Sequence, residues 1–433
     1  MAGDGRAPGV GRDGLLNTDH GVATHAMQTR RRYLRTVGAG IGAATVLAGC
    51  VTSADGDGEF DPLGGTPLDR SATTQFRMGL RNRGYVDAAV PERVTVDWTL
   101  PVNRGEHTAA KSTPVAVGDG DGDIVIAGDT GDVRRVTPGG EVEWSSSVER
   151  TTRGIHGTPA VANGTVYVGA YDGAMYAFDL ETGARRWRTG IGDAIGSSPV
   201  YYNGVCYIAV EYSPPDGSVA ALDAETGDVR WIDRRPTDHP HSTVAIHREA
   251  DRLVVGSNDG VCYAWTFPGL ERAWTFETGG AIKGPVATHD GLAVFGSWDG
   301  NVYGIDLEDG SEAWSFAAEE DVMSGPAVAH DTVYVGSHDA RLYALDAATG
   351  EERWRFQAGG WIIGSVTATR EHVLAGAYDA RMYALDAATG EETWSVEGRG
   401  HATSAVLVDD GALYYAERAT GEEPGLLYRL VEA

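Results

Sequence analysis

Apolar and polar residues alternate with a period of two in short runs separated by turn residues, as in Thr332-Val-Tyr-Val-Gly336 and Arg341-Leu-Tyr-Ala-Leu345. Such alternation predicts half-buried β-strands, and no helical period interrupts it in the body of the chain. Each unit opens on a strand of small residues, for example Gly157-Thr-Pro-Ala-Val161, Ser197-Ser-Pro-Val200 or Gly325-Pro-Ala-Val328. A turn such as Asn163-Gly164 or Asn203-Gly204, which tolerates positive φ, leads to the second strand. The next turn carries an aspartate, as in Ser337-His-Asp-Ala340, and the fourth strand carries a tryptophan. The pattern is four antiparallel strands, then the same four again.

The repeat is close to literal. Ala344-Leu-Asp-Ala-Ala-Thr-Gly-Glu-Glu-Arg-Trp354 returns as Ala384-Leu-Asp-Ala-Ala-Thr-Gly-Glu-Glu-Thr-Trp394. Trp98, Trp144, Trp187, Trp231, Trp274, Trp314, Trp354 and Trp394 follow one another at gaps of 46, 43, 44, 43, 40, 40 and 40 residues. A period in that range signals a repeat architecture. The motif has a physical logic: its Asp caps the following turn, its Gly supplies the left-handed backbone that closes the hairpin, and its Trp buries a large face against the neighbouring unit. These eight tryptophans are therefore expected to be structural docking residues. First-strand starts fall near residues 112, 157, 197, 242, 284, 325, 364 and 403, which makes eight units. The last lacks a fourth strand, and Val94–Leu100, carrying Trp98, is an orphan strand. The prediction is all-β: an eight-bladed β-propeller of four-stranded antiparallel blades, the ring closed by an N-terminal strand completing the C-terminal blade.

Before the body lies a different kind of sequence. Residues 1–26 are polar, glycine-rich and patternless, either a leader or a misassigned start, since Met27 opens a better one. Thr29-Arg30-Arg31-x-Tyr33-Leu34-Arg35 resembles a twin-arginine export signal. The apolar run from Val37 to Gly49 is thirteen residues, short of the ~20 that span a bilayer. Leu47-Ala-Gly-Cys50 resembles a lipobox, with Cys50 the residue that would be lipidated. An uncleaved anchor is the alternative, and both readings place the body at the extracytoplasmic face of the cell membrane. Residues 27–50 are thus read as a lipoprotein signal, 51–74 as a flexible tether, and 75–433 as the propeller.

Composition narrows the partners. The formal charge is −27, with two lysines, Lys111 and Lys283, against 33 arginines. Such a surface repels nucleic acid, so no nucleic-acid partner is expected. High acidity with almost no lysine fits a salt-adapted protein, and GC-rich coding bias gives the same arginine excess.

Ala-Leu-Asp-x-x-Thr-Gly-x-x-x-Trp, preceded by a segment like Gly-Ser-x-Asp-Gly-x-Leu-Tyr, resembles the PQQ-type β-propeller repeat and its tryptophan-docking motif, from about residue 75 to the end. WD40 is a poorer match, because Trp298-Asp299 is the single such dipeptide and lies in the wrong turn. Within the PQQ-like family the resemblance implies two functions. Quinoprotein dehydrogenases hold PQQ between a tryptophan and a disulfide of adjacent cysteines, with calcium and a catalytic Asp nearby. BamB-type lipoproteins are binding scaffolds of barrel assembly. After Cys50 this chain has only Cys206 and Cys262, at strand positions of different blades, where buried free thiols are expected. No cofactor is therefore predicted, with PQQ and calcium kept for the oxidoreductase alternative. The expected function is a non-catalytic scaffold for a membrane-associated protein partner. A surface adhesion or glycan-binding module is a third possibility.

Binding residues are sought where the period fails. The connections from each fourth strand to the next first strand share a face with the second-to-third turns. They carry Glu106, His107, Lys111, Arg153, His156, Ile195, His239, His241, Lys283, Met323, Trp361 and His401. Asp172, Asp259, Asp299, Asp339 and Asp379 are expected as an acidic rim, and Trp361-Ile-Ile363 as an apolar patch in an exposed connection, suited either to ligand or partner contact or to packing into a narrow channel mouth. His156, His239, His241 and His401 are of metal-ligand type, but nothing in the sequence sets their distances, and no metal site is assigned. Two insertions, Glu211–Gly217 with Tyr212 and Asp233–His241, mark the third blade as the expected partner edge.

Overall fold

The computed structural model describes residues 74–105, 112–117, 122–149, 151 and 153–433. Arg30, Arg31 and Cys50 of the export signal, and Glu106, His107 and Lys111, lie outside the described residues. The described chain is an eight-bladed propeller of four-stranded antiparallel sheets. Its helical content is one 3₁₀ turn at Phe76–Met78, and no described helix is long and apolar enough to cross a membrane.

Blade 6 shows the unit: Ala327–Ala329, Thr332–Gly336, Arg341–Asp346 and Glu352–Gln357, ordered from the channel outward. The two middle strands are buried on both faces, whereas the outer strand alternates exposed and half-buried residues. Each sheet sits between two others, so its middle strands find apolar partners on either side. In blade 8 the inner strand is split into His401–Ala402 and Leu407–Asp409. Its outer strand is Val94–Asn103, paired antiparallel with Gly425–Glu432 from Val94↔Glu432 to Asn103↔Gly425.

The seams between blades run through the repeated motif. The indole N–H of Trp354 donates to the Ala387 carbonyl at 3.1 Å, and Trp314 to Ala347 at 3.0 Å. Trp144, Trp187, Trp274, Trp394 and Trp98 do the same toward Leu180, Ala224, Leu307, Pro91 and Pro138. Trp231 differs, meeting the buried Trp265 edge-on at 5.9 Å. The motif glycine has two tasks. Gly390 has φ +73, and a Cβ there would fall 2.5 Å from the Trp354 ring of the preceding blade. Its Asp386 accepts the Ala388 and Thr389 N–H groups through one oxygen, which caps the turn.

Ahead of the first blade, residues 74–86 cross the inner strands of six blades in succession. Thr74 pairs with Val161, and Gln75 accepts the Tyr201 N–H. Carbonyls of Leu80, Arg81, Arg83 and Gly84 then accept from Ile246, Thr288, Val328 and Ala368. Beside this segment lies an axial cavity of about 260 Å³, lined by Arg77, Tyr85, Pro114, Val406 and neighbours. Burial pulls the Arg77 guanidinium down to about 9.

Candidate functional site at the mouth of the ring

One face of the ring is built from the second-to-third turns and the connections entering each first strand. Backbone bonds fasten the two sets together: Tyr171 N–H to Gly154 O, Asn258 to His239, Trp298 to Ala281, His338 to Asp321 and Tyr378 to Trp361, at 2.9–3.1 Å. The residue just before each turn aspartate therefore stands at the mouth. In blades 2 and 4–7 these are Tyr171, Asn258, Trp298, His338 and Tyr378. Glu211 and Arg418 hold the same register in blades 3 and 8.

Blades 5 to 8 turn this register into a continuous arc. Lys283 Nζ lies 3.5 Å from the Trp298 ring centre, and Trp298 lies 6.3 Å from His338. His338 stacks on Trp361 at 4.7 Å, which meets Tyr378 at 5.7 Å. Tyr378 stacks on His401 at 4.1 Å, and Arg418 donates to the Tyr378 hydroxyl at 3.0 Å. Since a carbonyl only accepts, the 2.7 Å contact of His401 Nδ1 with Tyr378 O places the proton on Nδ1. Burial lowers the pKa of Lys283, although Asp238 and Asp321 oppose it, and burial also lowers those of His338 and His401. Trp298 and Trp361 are the exposed rings, at 36% and 46%.

Several expectations change here. Of the Trp361–Ile363 patch only Trp361 is exposed, because Ile362 and Ile363 are buried. Ile362 packs over Gly336, where a Cβ would come within 2.2 Å of it, so this connection inserts its middle residue into the sheet. Ile195 does the same over Gly169. His156 is buried, with its ring 4.6 Å from Tyr171. The rim aspartates are engaged rather than open. Asp259 and Asp299 each accept a tyrosine hydroxyl at 2.8 Å, and Asp172, Asp339 and Asp379 bind Tyr176, Tyr343 and Tyr383 alike.

The two insertions of blade 3 brace one another. Its second and third strands extend to Val205–Tyr212 and Asp216–Asp223, and Gly217 donates to the Pro236 carbonyl at 3.0 Å. Tyr212 donates its hydroxyl to Ile191 O and lies under the Arg234 guanidinium at 4.4 Å. At the junction of the insertions Glu211 meets two histidines. Its buried carboxylate is 2.9 Å from His241 Nδ1 and 3.7 Å from His239 Nδ1. His239 Nε2 is 2.9 Å from the Tyr212 carbonyl, and Gly196 N–H donates to Glu211 Oε1 at 3.1 Å. Burial raises the Glu211 pKa, but the His241 hydrogen bond, the charges of both histidines and the Gly196 N–H outweigh it, and the net shift is downward. Of the four histidines of ligand type, His239 and His241 come together, while His156 and His401 stand elsewhere. Glu211, Trp298, His338, Tyr378 and Arg418 were not singled out as binding residues from sequence. Their signal was one column of the repeat, the residue before the turn aspartate, where identity varies.

Fold and mouth define the class: an eight-bladed PQQ-like propeller with a non-repeating face. A family model described as outer membrane protein assembly factor BamB matches residues 129–264, 239–322 and 298–422, and the chain belongs to that family. An assembly factor BamB of Moranella endobia (strain PCIT) is 26% identical over 148 residues, 32% of this chain and 36% of that one. A quinohemoprotein alcohol dehydrogenase of Comamonas testosteroni is 32% identical over 99 residues, 20% of this chain and 13% of that one. The match thus spans well under two thirds of either relative. The crystal structure of a quinohemoprotein alcohol dehydrogenase from Comamonas testosteroni superposes with a TM-score of 0.69 at 15% identity, covering 83% of this chain and 80% of that one. At that identity the likeness shows the fold alone.

Proposed function

We propose that the protein is an extracytoplasmic, membrane-tethered scaffold that binds a membrane-associated protein at the mouth of the ring and does no chemistry on it. The observation that carries this is the arc of aromatic and basic side chains from Lys283 to Arg418 across four blades. Exposed indoles at Trp298 and Trp361, with Arg418 on the same arc, are residue types enriched at interface hot spots. The BamB relatives are named assembly factors, and a scaffold is the corresponding role for this chain. Tethering rests on the signal-like residues 27–50 with Cys50.

A PQQ-dependent oxidoreductase is the second reading, favoured by planar indoles beside Lys283, which would suit an anionic quinone. The residues present do not fit that group. Cys206 and Cys262 are buried free thiols in separate blades. Calcium takes six to eight oxygen ligands, whereas the rim carboxylates are committed to tyrosine hydroxyls and turn N–H groups. A glycan-binding module is the third reading.

Cross-linking the full chain in native membranes, followed by mass spectrometry, tests the proposal. One dominant membrane-associated partner is expected, and W298A/W361A should lose it while melting at the parent temperature. Undiminished capture by that double variant overturns the reading. Quinone absorbance and dye-linked alcohol oxidation on adding PQQ and calcium would establish the oxidoreductase instead, and a glycan array addresses the third.

A further inference from the structure

The junction of the two blade 3 insertions holds a second arrangement that the scaffold reading does not use. One donor atom each from Glu211, His239 and His241 lies within 4.8 Å of the others. We propose that these three side chains form a site for one divalent transition-metal ion of the zinc class, with a fourth position left open. In a tetrahedral site with bonds of about 2.0–2.1 Å, neighbouring donors stand about 3.3 Å apart. Glu211 offers one oxygen to each ring, Oε1 at 2.9 Å from His241 Nδ1 and Oε2 at 3.7 Å from His239 Nδ1.

The shell around the donors is ordered for the purpose. His239 gives its Nε2 proton to the Tyr212 carbonyl at 2.9 Å, which leaves the Nδ1 lone pair facing Glu211. A ligating imidazole is commonly held in this way, by its other nitrogen on a backbone carbonyl. Glu211 is fixed at its backbone, where its N–H donates to Ala194 O at 3.0 Å and its carbonyl accepts Asp193 N–H at 2.9 Å. Metal binding displaces the proton shared between His241 and the carboxylate. Gly196 packs directly against the donors: a Cβ placed on it would fall 2.7 Å from His241 Nδ1, 2.8 Å from Glu211 Oε1 and 2.9 Å from the Tyr171 hydroxyl, too close for any side chain. Two imidazole nitrogens and one carboxylate select zinc-like ions over calcium or magnesium, which take oxygen. All three donors come from segments that break the repeat, so the blade scaffold does not account for them.

The test uses the full chain, stripped with chelator and titrated with zinc, cobalt(II) or calcium. Expected are one zinc per chain, a rise in melting temperature that saturates with zinc, and tetrahedral d–d bands with cobalt(II). H239A and H241A should each weaken zinc by at least the roughly ten- to hundredfold that loss of an orienting partner costs. Gly196→Ala keeps every donor but presses a methyl group against His241 Nδ1 and Glu211 Oε1, and it should weaken zinc by displacing them. Absence of stoichiometric zinc, a preference for calcium, or binding unchanged in H239A, H241A and Gly196→Ala overturns the proposal.

Discussion

At Glu417 ionisation and burial are opposed. Its side chain is fully buried, Oε1 accepts the Arg399 N–H at 2.8 Å, and Oε2 has no partner. Burial dominates and lifts its pKa to about 7. Since the folded value exceeds the unfolded one, the folded state binds more protons between the two. Stability therefore falls as pH rises through that window, by on the order of 3 kcal/mol. In E417Q this part of the slope should disappear, read from denaturant unfolding at pH 5 and pH 8. Identical slopes in parent and variant would refute the assignment. Motif aspartates run the other way. Asp346, held below its usual range chiefly by Arg353, contributes stability that is lost as acid protonates it. Aspartate and turn chemistry were readable from Asp-x-x-Thr-Gly alone. The burial of Glu417 was not, because its register in the split blade 8 puts a carboxylate where blade 6 has Ser337.

At the scale of the element, each seam is centred on an indole, and at Trp354 it is closed by the Gly390 turn of the next blade. Trp354 gives its N–H to Ala387, while Trp231 meets Trp265 instead. Replacing either by phenylalanine removes similar volume, but only W354F also breaks a bond to the next blade. W354F should therefore cost about 1 kcal/mol more than W231F in equilibrium unfolding. Equal losses would show that the seam is held by packing alone. Strand number, turn order and the docking tryptophans were legible, since period-two alternation and a forty-residue repeat each have one physical solution. The connections are less legible, because adjacent apolar residues there differ in burial. In Trp361-Ile-Ile363 three apolar side chains are adjacent, and only the approach of Gly336 decides that Ile362 turns inward.

For the whole molecule the charge of −27 sets a further expectation. Mutual repulsion of surface carboxylates is screened as the Debye length shrinks from about 10 Å at 0.1 M salt to about 3 Å at 1 M. The unfolding midpoint should rise steadily across that range, and a flat response would mean that local arginine pairs already neutralise the surface.

By itself the sequence determined the fold, the number of blades and the family, because every repeat states the same packing problem and its answer. It also marked blade 3 as irregular. Tertiary structure decided what that irregularity is. Glu211 lies 28 residues before His239 in the chain, and only the bracing of the two insertions brings its carboxylate to 3.7 Å from the His239 ring. Likewise the arc from Lys283 to Arg418 draws on four blades, and ring closure alone makes those positions neighbours. Periodicity specifies what recurs, whereas a site made of exceptions exists only once the chain has folded.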